Sequence, residues 1–153
     1  MKKSDVVSAI LERLREDFEA RQRASKTTRE HGNDAESKAE GKYDTLAIEE
    51  NYLADGLALK AHAAAQAIAE IEKMTLRTFA PDEEIDLGAL VQVQFAKETE
   101  WFFLAPAGGG TEVAVDGVAV TVITRESPLG LKLLGAHVGD RTQSPTAVIV
   151  AVV

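Results

Sequence analysis

The chain has 153 residues, no cysteine and a formal net charge of −8 at pH 7, which together exclude several classes of protein. Without cysteine there is neither a disulfide framework nor a thiolate metal site. The acidic balance argues against a protein whose main task is to bind nucleic acid directly. No run of about 18 apolar residues occurs, so we expect no membrane span and a cytoplasmic location.

A helical period runs from the N-terminus to about residue 74 and predicts two helices. The first, over residues 4–29, has an apolar stripe on Val7, Ile10, Leu14 and Phe18 at spacings of three and four. The second, over residues 44–73, repeats apolar residues at three, four or seven: Leu46, Leu53, Leu57, Ala61, Ala64, Ile68 and Ile71. We expect an antiparallel coiled-coil hairpin over residues 1–74, with arms roughly 40 Å long.

Residues 30–44 are predicted to form the tip of this hairpin, with Gly32 and Gly41 bracketing the turn. The segment holds five carboxylates: Glu30, Asp34, Glu36, Glu40 and Asp44. Residues 1–29 carry a net charge of +3, so a basic helix would lead to an acidic hairpin tip. Such a turn suits a hard cation like Mg²⁺ held through acids, waters and a phosphate. The alternative is an acidic loop that is merely solvated.

A change of pattern near residue 75 indicates a second domain over residues 85–153, after a linker at 75–84 that contains Pro81. Short β-rich segments predict a small antiparallel sheet of four or five strands with one short helix, giving an α+β fold. The predicted strands cover residues 90–95, 100–104, 113–115, 118–124 and 147–153. Since Trp101, Phe102 and Phe103 alternate between faces, at least one ring is expected to point out of the core.

Residues 127–140 predict a compact piece of local architecture. Ser127 suits a helix N-cap, Pro128 the first helical position, and Gly135 a left-handed residue at the helix end. The order of residues closely resembles the SPLGxxLLGxxxGD block of the Gre transcript-cleavage factors. A second, weaker resemblance to that family lies in Arg29-Glu30-His31-Gly32, which looks like its approach to the hairpin tip. The resemblance implies an FKBP-like fold for the C-terminal domain.

The resemblance also implies a function. In that family, an Asp and a Glu three residues apart enter the secondary channel of RNA polymerase. They help to hold a second Mg²⁺ and a water there, so that the polymerase hydrolyses its own backtracked RNA. By register, Asn33 takes the Asp position and Glu36 the Glu position, with Asp34 and Glu40 as further candidate acids. The residues expected to dock the C-terminal domain on the polymerase are Ser127, Pro128, Leu129, Gly130 and Asp140.

On this reading the chain is a transcription elongation factor and not an enzyme by itself. Its partner is bacterial RNA polymerase, the RNA is contacted indirectly, and the Mg²⁺ belongs to the polymerase, so no cofactor of its own is expected. The neutral Asn33 favours an alternative, a non-cleaving regulator that competes for the same channel. A proline isomerase or chaperone built on the β domain is a third possibility. We expect a monomer, although the thin apolar stripe leaves pairing with a second copy open.

Overall fold

The structure is a computed structural model that describes the backbone of residues 1–36 and 44–153 and the side chains of residues 1–31, 48, 49 and 51–153. The chain divides into two compact units. Met1–Leu14 and Ala67–Val153 form the first, called the sheet unit here, and Arg15–Gln66 form the second, called the helix-pair unit. A boundary between two domains, with a linker at residues 75–84, stays a prediction.

Two long helices occupy the N-terminal half: α1 spans Lys3–Glu36 and α2 spans Asp44–Lys73. The predicted end of the first helix at residue 29 is wrong, because α1 continues to Glu36. No proline interrupts residues 30–36, and the one glycine there costs a helix only about 1 kcal/mol. Gly32 therefore lies inside a helix and does not open the turn. No helix within the described ranges combines the length and apolar character needed to cross a membrane.

The C-terminal half forms one six-stranded sheet in the order β3-β4-β2-β1-β6-β5. The strands are β1 (Leu90–Phe95), β2 (Glu98–Ala105), β3 (Glu112–Val115), β4 (Val118–Thr124), β5 (Arg141–Thr142) and β6 (Ala147–Val152). The short helix α3 (Gly130–Leu133) lies between β4 and β5 in the chain. The predicted α+β class, with a helical hairpin and a β domain carrying one short helix, is confirmed.

The sheet departs from the prediction in two respects. It has six strands, because the two-residue β5 pairs with β6 through Arg141–Val148 and Thr142–Ala147. It is also not wholly antiparallel, since β2 and β4 run parallel, with Phe103 opposite Val122. The turn signal at Asp116-Gly117 is confirmed: both residues have positive φ, 53° and 77°, as the tight turn between β3 and β4 requires.

Both faces of the sheet are covered within the sheet unit. One face packs its apolar side chains, among them Phe102, Leu104 and Ile149, with Leu133 of α3. The other packs Phe103 and its neighbours against the ends of the long helices that belong to this unit, including Ile10 and Ile71. The expectation that one of three consecutive rings points outward is therefore wrong. Phe102 and Phe103 are buried on opposite faces, and Trp101 is half-buried.

Candidate functional site

The segment 127–140 begins with a hydrogen-bonded turn built on Ser127. Its hydroxyl oxygen accepts from the backbone N–H of Gly130 at 2.9 Å and donates to the carbonyl of Thr124 at 2.8 Å. Its own carbonyl accepts from the N–H of Leu131 at 3.0 Å. These are the bonds of an N-cap, so Ser127 caps the turn as predicted. The assigned helix begins only at Gly130, with Leu129 as its N-cap residue and no side-chain cap bond, so the prediction of Pro128 as the first helical residue is wrong.

Gly130 is required by a close approach of two backbone segments. A Cβ placed on this residue would lie 1.9 Å from the carbonyl oxygen of Thr124 and 2.8 Å from the Ser127 hydroxyl. No side chain fits in that space, so β4 and α3 can be joined this tightly only through glycine. Gly130 is buried, and Leu129 packs against the core. The role of Gly130 in docking stays a prediction, whereas its role in the fold follows from this close approach.

The rest of the segment is held in the same way. Gly135 has φ +77°, which confirms the left-handed residue predicted at the end of the helix, and its N–H donates to the carbonyl of Ile85 at 2.8 Å. The Asp140 carboxylate accepts from the backbone N–H of His137 at 2.8 Å. Among the predicted docking residues, Ser127, Gly130 and Asp140 thus make internal contacts that shape the segment.

Two leucines that the sequence analysis did not single out are the exposed apolar part of this segment. Leu131 is 66% exposed and Leu134 is 41% exposed. Leu134 lines a shallow groove of about 690 Å³ together with Gly135, His137, Arg77 and the acidic segment 82–86. The helical period could have pointed to Leu131, because it lies two residues from the buried Leu133 and so on another face of α3.

Ionic contacts order the acidic wall of this groove. Glu83 pairs with the Arg77 guanidinium and accepts from the backbone N–H of Ala80 at 3.1 Å. The Ala80 N–H first, and then Arg77, hold the pKa of the Glu83 carboxyl below its usual value. Arg77 also stacks 3.8 Å from the centre of the Phe79 ring. The groove therefore offers fixed negative charge beside exposed leucine.

Lys3, at the first residue of α1, is held within the same unit. Its ammonium donates to the carbonyl of Gly88 at 3.0 Å and to that of Arg77, and lies 4.8 Å from the centre of the Phe79 ring. Burial, and secondarily the positive charge of Arg77, lower the pKa of Lys3 to about 8. This ammonium gives up its proton more readily than an exposed lysine does.

The predicted tip residues lie at or beyond the edge of the described part of the chain. Asn33, Asp34 and Glu36 belong to the last turns of α1, with their backbone helical and their side chains not described. Glu40 lies outside the described residues. Positions 33 and 36 are three apart on a helix, so they stand on one side of it, about one turn apart. Their role stays a prediction.

Within the helix-pair unit, the described contacts join α1 and α2 through small and charged residues. The Ser25 hydroxyl donates to the carbonyl of Ala54 at 3.0 Å, and Arg29 pairs with Asp55 at 2.6 Å. A groove of about 720 Å³ runs beside this seam, with Arg23, Lys26 and His62 in its lining. Between Glu19 and Glu30, α1 carries four cations and no acid, which makes this part of an acidic protein locally basic.

The described residues contain no group of three or more His, Cys, Asp or Glu side chains placed to hold a metal ion. The predicted acids at 34, 36 and 40 fall outside that statement, because their side chains are not described. By donor chemistry, the carboxylates of Asp34, Glu36 and Glu40 are the hard oxygen ligands that Mg²⁺ takes, whereas the Asn33 amide is a neutral and weaker one.

No protein-family model matches the chain, and no curated protein matches it. Among solved structures, the chain is similar to GreA factor homolog 1 (Gfh1) of Thermus thermophilus, with 19% identity, a TM-score of 0.35, and 95% of each chain covered. It is also similar to the Gfh1 of Thermus aquaticus, with 19% identity, a TM-score of 0.34, and 94% of this chain and 90% of that chain covered. A further structure of the transcription factor Gfh1 has 18% identity and a TM-score of 0.35 over 94% of this chain and 93% of that one. At these values the likeness by itself carries no functional conclusion.

Proposed function

We propose that the chain is a Gre-like factor that enters the secondary channel of bacterial RNA polymerase. The observation that carries the proposal is the segment 127–140, whose order of residues resembles the Gre block. Its Ser127 and Gly130 make contacts that few other residues allow. A long antiparallel helix pair in the same chain, with acids where α1 ends, is the second part of the pattern. An Asp and Glu pair in that place suits Mg²⁺-assisted hydrolysis.

In this proposal the residues divide the work. Asp34, Glu36 and Glu40 provide carboxylates near the catalytic Mg²⁺ of the polymerase, which supplies the activation of water for hydrolysis of backtracked RNA. The cations Arg23 and Lys26 have side chains that are 77% and 80% exposed, and they face phosphate groups along the secondary channel. Exposed Leu131 and Leu134 beside the acidic groove contact the polymerase exterior.

The deciding experiment uses stalled, backtracked RNA polymerase and measures RNA shortening with and without the protein. We expect faster shortening, lost on Asp34→Ala or Glu36→Ala. Glu12→Ala serves as a control, because Glu12 is an exposed acid of the same helix, distant in sequence from the end of α1. If both tip variants shorten RNA as fast as the parent protein, the assignment of the acids is wrong.

A second candidate function is supported by Asn33, which places a neutral amide where the Gre pattern has an acid. A factor that occupies the channel without completing the Mg²⁺ site would slow shortening by displacing a true cleavage factor. The same assay separates the two, since cleavage speeds shortening and competition slows it. Asn33→Asp is expected to move a competitor toward cleavage, whereas in a cleavage factor it would change the rate little.

A further inference from the structure

The apolar side chains of α2 in the helix-pair unit are distributed in an unusual way. The residues that this helix buries are small, Ala54 at 0% and Ala61 at 4% exposure. Four of its large apolar residues are exposed instead: Ile48 at 52%, Tyr52 at 73%, Leu53 at 58% and Leu59 at 72%. In a helix that pairs with only one neighbour, the large side chains are expected in the seam.

Ile48, Tyr52 and Leu59 lie on one continuous stripe, whereas Leu53 lies about 60° outside it. At about 100° per residue, positions 48, 52, 56, 59 and 63 fall within an arc of about 80°, on the face opposite Ala54 and Ala61. We call Ile48, Tyr52, Gly56, Leu59 and Ala63 the outer stripe. All five are exposed in the single chain, and two of the largest lie within two helical turns of each other. Contiguous apolar surface of this kind marks an interaction site.

Gly56 gives a second, independent reason to expect a partner. It lies in the middle of α2, has no positive φ and, for a helix interior, is among the least favourable residues. A Cβ built on it meets nothing within 4 Å, so this chain does not itself need a glycine there. A glycine in an exposed stripe is explained if another backbone comes close at that point.

We propose that the outer stripe is an interface at which two copies of this chain pair, α2 against α2, in antiparallel orientation. The stripe complements itself under a two-fold axis between residues 55 and 56. Tyr52 then lies opposite Leu59 of the second copy, Ile48 lies opposite its Ala63, and the two Gly56 residues meet near the axis. A two-fold interface uses the same patch on both copies, which this symmetric spacing allows.

Charge decides the orientation. Glu49 and Lys60 are both exposed and flank the outer stripe on the same side, three helical turns apart. In an antiparallel pair, Glu49 of each copy lies beside Lys60 of the other, which gives two attractive contacts. In a parallel pair, whose two-fold axis runs along the helices, the Glu49 residues of the two copies lie on opposite sides of the interface, and neither attractive contact forms. The antiparallel arrangement is therefore favoured, and on its other side the two Asp55 residues come close to each other, each paired with Arg29 of its own chain.

Sedimentation of the full chain over a concentration series tests the pairing. The average mass is expected to rise from 16.4 kDa for one chain towards twice that value. The double variant Tyr52→Glu with Leu59→Glu is expected to weaken association at least about tenfold, because it puts charge into an apolar contact. Leu131→Glu is the matched control, since Leu131 is 66% exposed in the sheet unit and lies outside the stripe.

The orientation is tested by cross-linking, for which a chain without cysteine is well suited. Gly56→Cys is expected to link to itself on mild oxidation, because it lies next to the proposed axis. Ile48→Cys is expected to link to Ala63→Cys in a mixture, and poorly to itself. A chain that stays monomeric at every concentration overturns the proposal, and so does an Ile48→Cys variant that links mainly to itself.

The test is independent of the proposed function, since it uses the purified protein alone. Circular dichroism checks that each variant keeps its helix content, and because the changed side chains are exposed, folding is expected to be preserved. A monomer in which Tyr52 becomes protected only when RNA polymerase is added would assign the stripe to the polymerase and overturn self-pairing. Loss of RNA shortening without loss of pairing would affect only the proposed function.

Discussion

The two units of this chain are stabilised by different means. The sheet unit buries large side chains completely, among them Phe103, Leu104 and Ile149 at 0% exposure. Among the described residues of the helix-pair unit, only Ser25, Ala54 and Ala61 are buried. Because burial stabilises roughly in proportion to apolar area, at about 25 cal/mol per Å², the sheet unit gains most from packing. The helix-pair unit depends more on the high helix propensity of alanine and on ion pairs such as Lys26–Glu30.

The difference in packing between the two units is tested most strongly by making a Leu→Ala substitution in each unit. Leu104→Ala is expected to lower the free energy of unfolding by about 4 kcal/mol, because it leaves a cavity in a fully buried core. Leu59→Ala, at a position 72% exposed, is expected to change it by less than about 0.5 kcal/mol. Urea unfolding followed by circular dichroism measures both, at a concentration low enough to keep the chain monomeric. Equal losses would mean that Leu59 is buried in solution.

Glycine offers the next comparison. Gly130→Ala is expected to cost about 3 kcal/mol, since its Cβ would collide with the Thr124 carbonyl. Gly56→Ala is the opposite case, because nothing lies within 4 Å of its Cβ and alanine favours the helix. It is expected to stabilise α2 by about 1 kcal/mol. The thermal midpoints should therefore move in opposite directions, measured at a concentration low enough to keep the chain monomeric. A fall for Gly56→Ala would contradict the open space around it.

The parts of the fold that were predicted correctly are those that local sequence determines. The bounds of β1 and β4 follow from alternation of apolar and polar or small residues and from the turn at Asp116-Gly117, whose residues tolerate positive φ. Ser127 and Gly135 were placed correctly for the same reason, because a cap and a left-handed helix end depend on neighbours in the chain.

The errors concern features that depend on distant contacts or on weak local signals. The parallel pairing of β2 with β4 and the cover on both faces of the sheet follow from long-range packing, which the period of one strand does not contain. Gly32 was interpreted as a turn residue, but a single glycine is too weak a signal to end α1. At the candidate site, the close approach at Gly130 and the exposure of Leu131 required coordinates.

A substitution in the seam between α1 and α2 tests whether the helix-pair unit packs closely through small residues. Ser25 is 8% exposed and donates to the carbonyl of Ala54, so the two backbones are close there. Ser25→Leu is expected to cost about 2 kcal/mol by overpacking. Ala24→Leu, one residue away on an exposed face, is the control and should cost less than about 0.5 kcal/mol. If both variants unfold alike, the seam is looser than the hydrogen bond indicates.

The smallest expected effect concerns Lys3, which tests whether the first turn of α1 belongs to the sheet unit in solution. Its pKa is lowered to about 8 by burial and by Arg77, whereas in the unfolded chain it has the ordinary value of 10.5. The folded state therefore binds this proton less tightly than the unfolded state does. Charged Lys3 opposes folding at neutral pH, and the opposition is relieved as the pH rises from about 8 to 10.5.

Two measurements follow from that sign. In the parent protein, the free energy of unfolding in urea is expected to rise between about pH 7 and pH 10, in part because Lys3 loses its proton. In Lys3→Met, the part of this rise that is due to Lys3 is expected to be absent. The effect is expected to be small, because the site is partly open to solvent. Acylation at pH 8 should modify Lys3 faster than the exposed Lys97, since about half of the Lys3 amines are unprotonated there. Equal rates at the two lysines would mean that Lys3 is solvated, and that the contacts with Gly88 and Phe79 do not persist in solution.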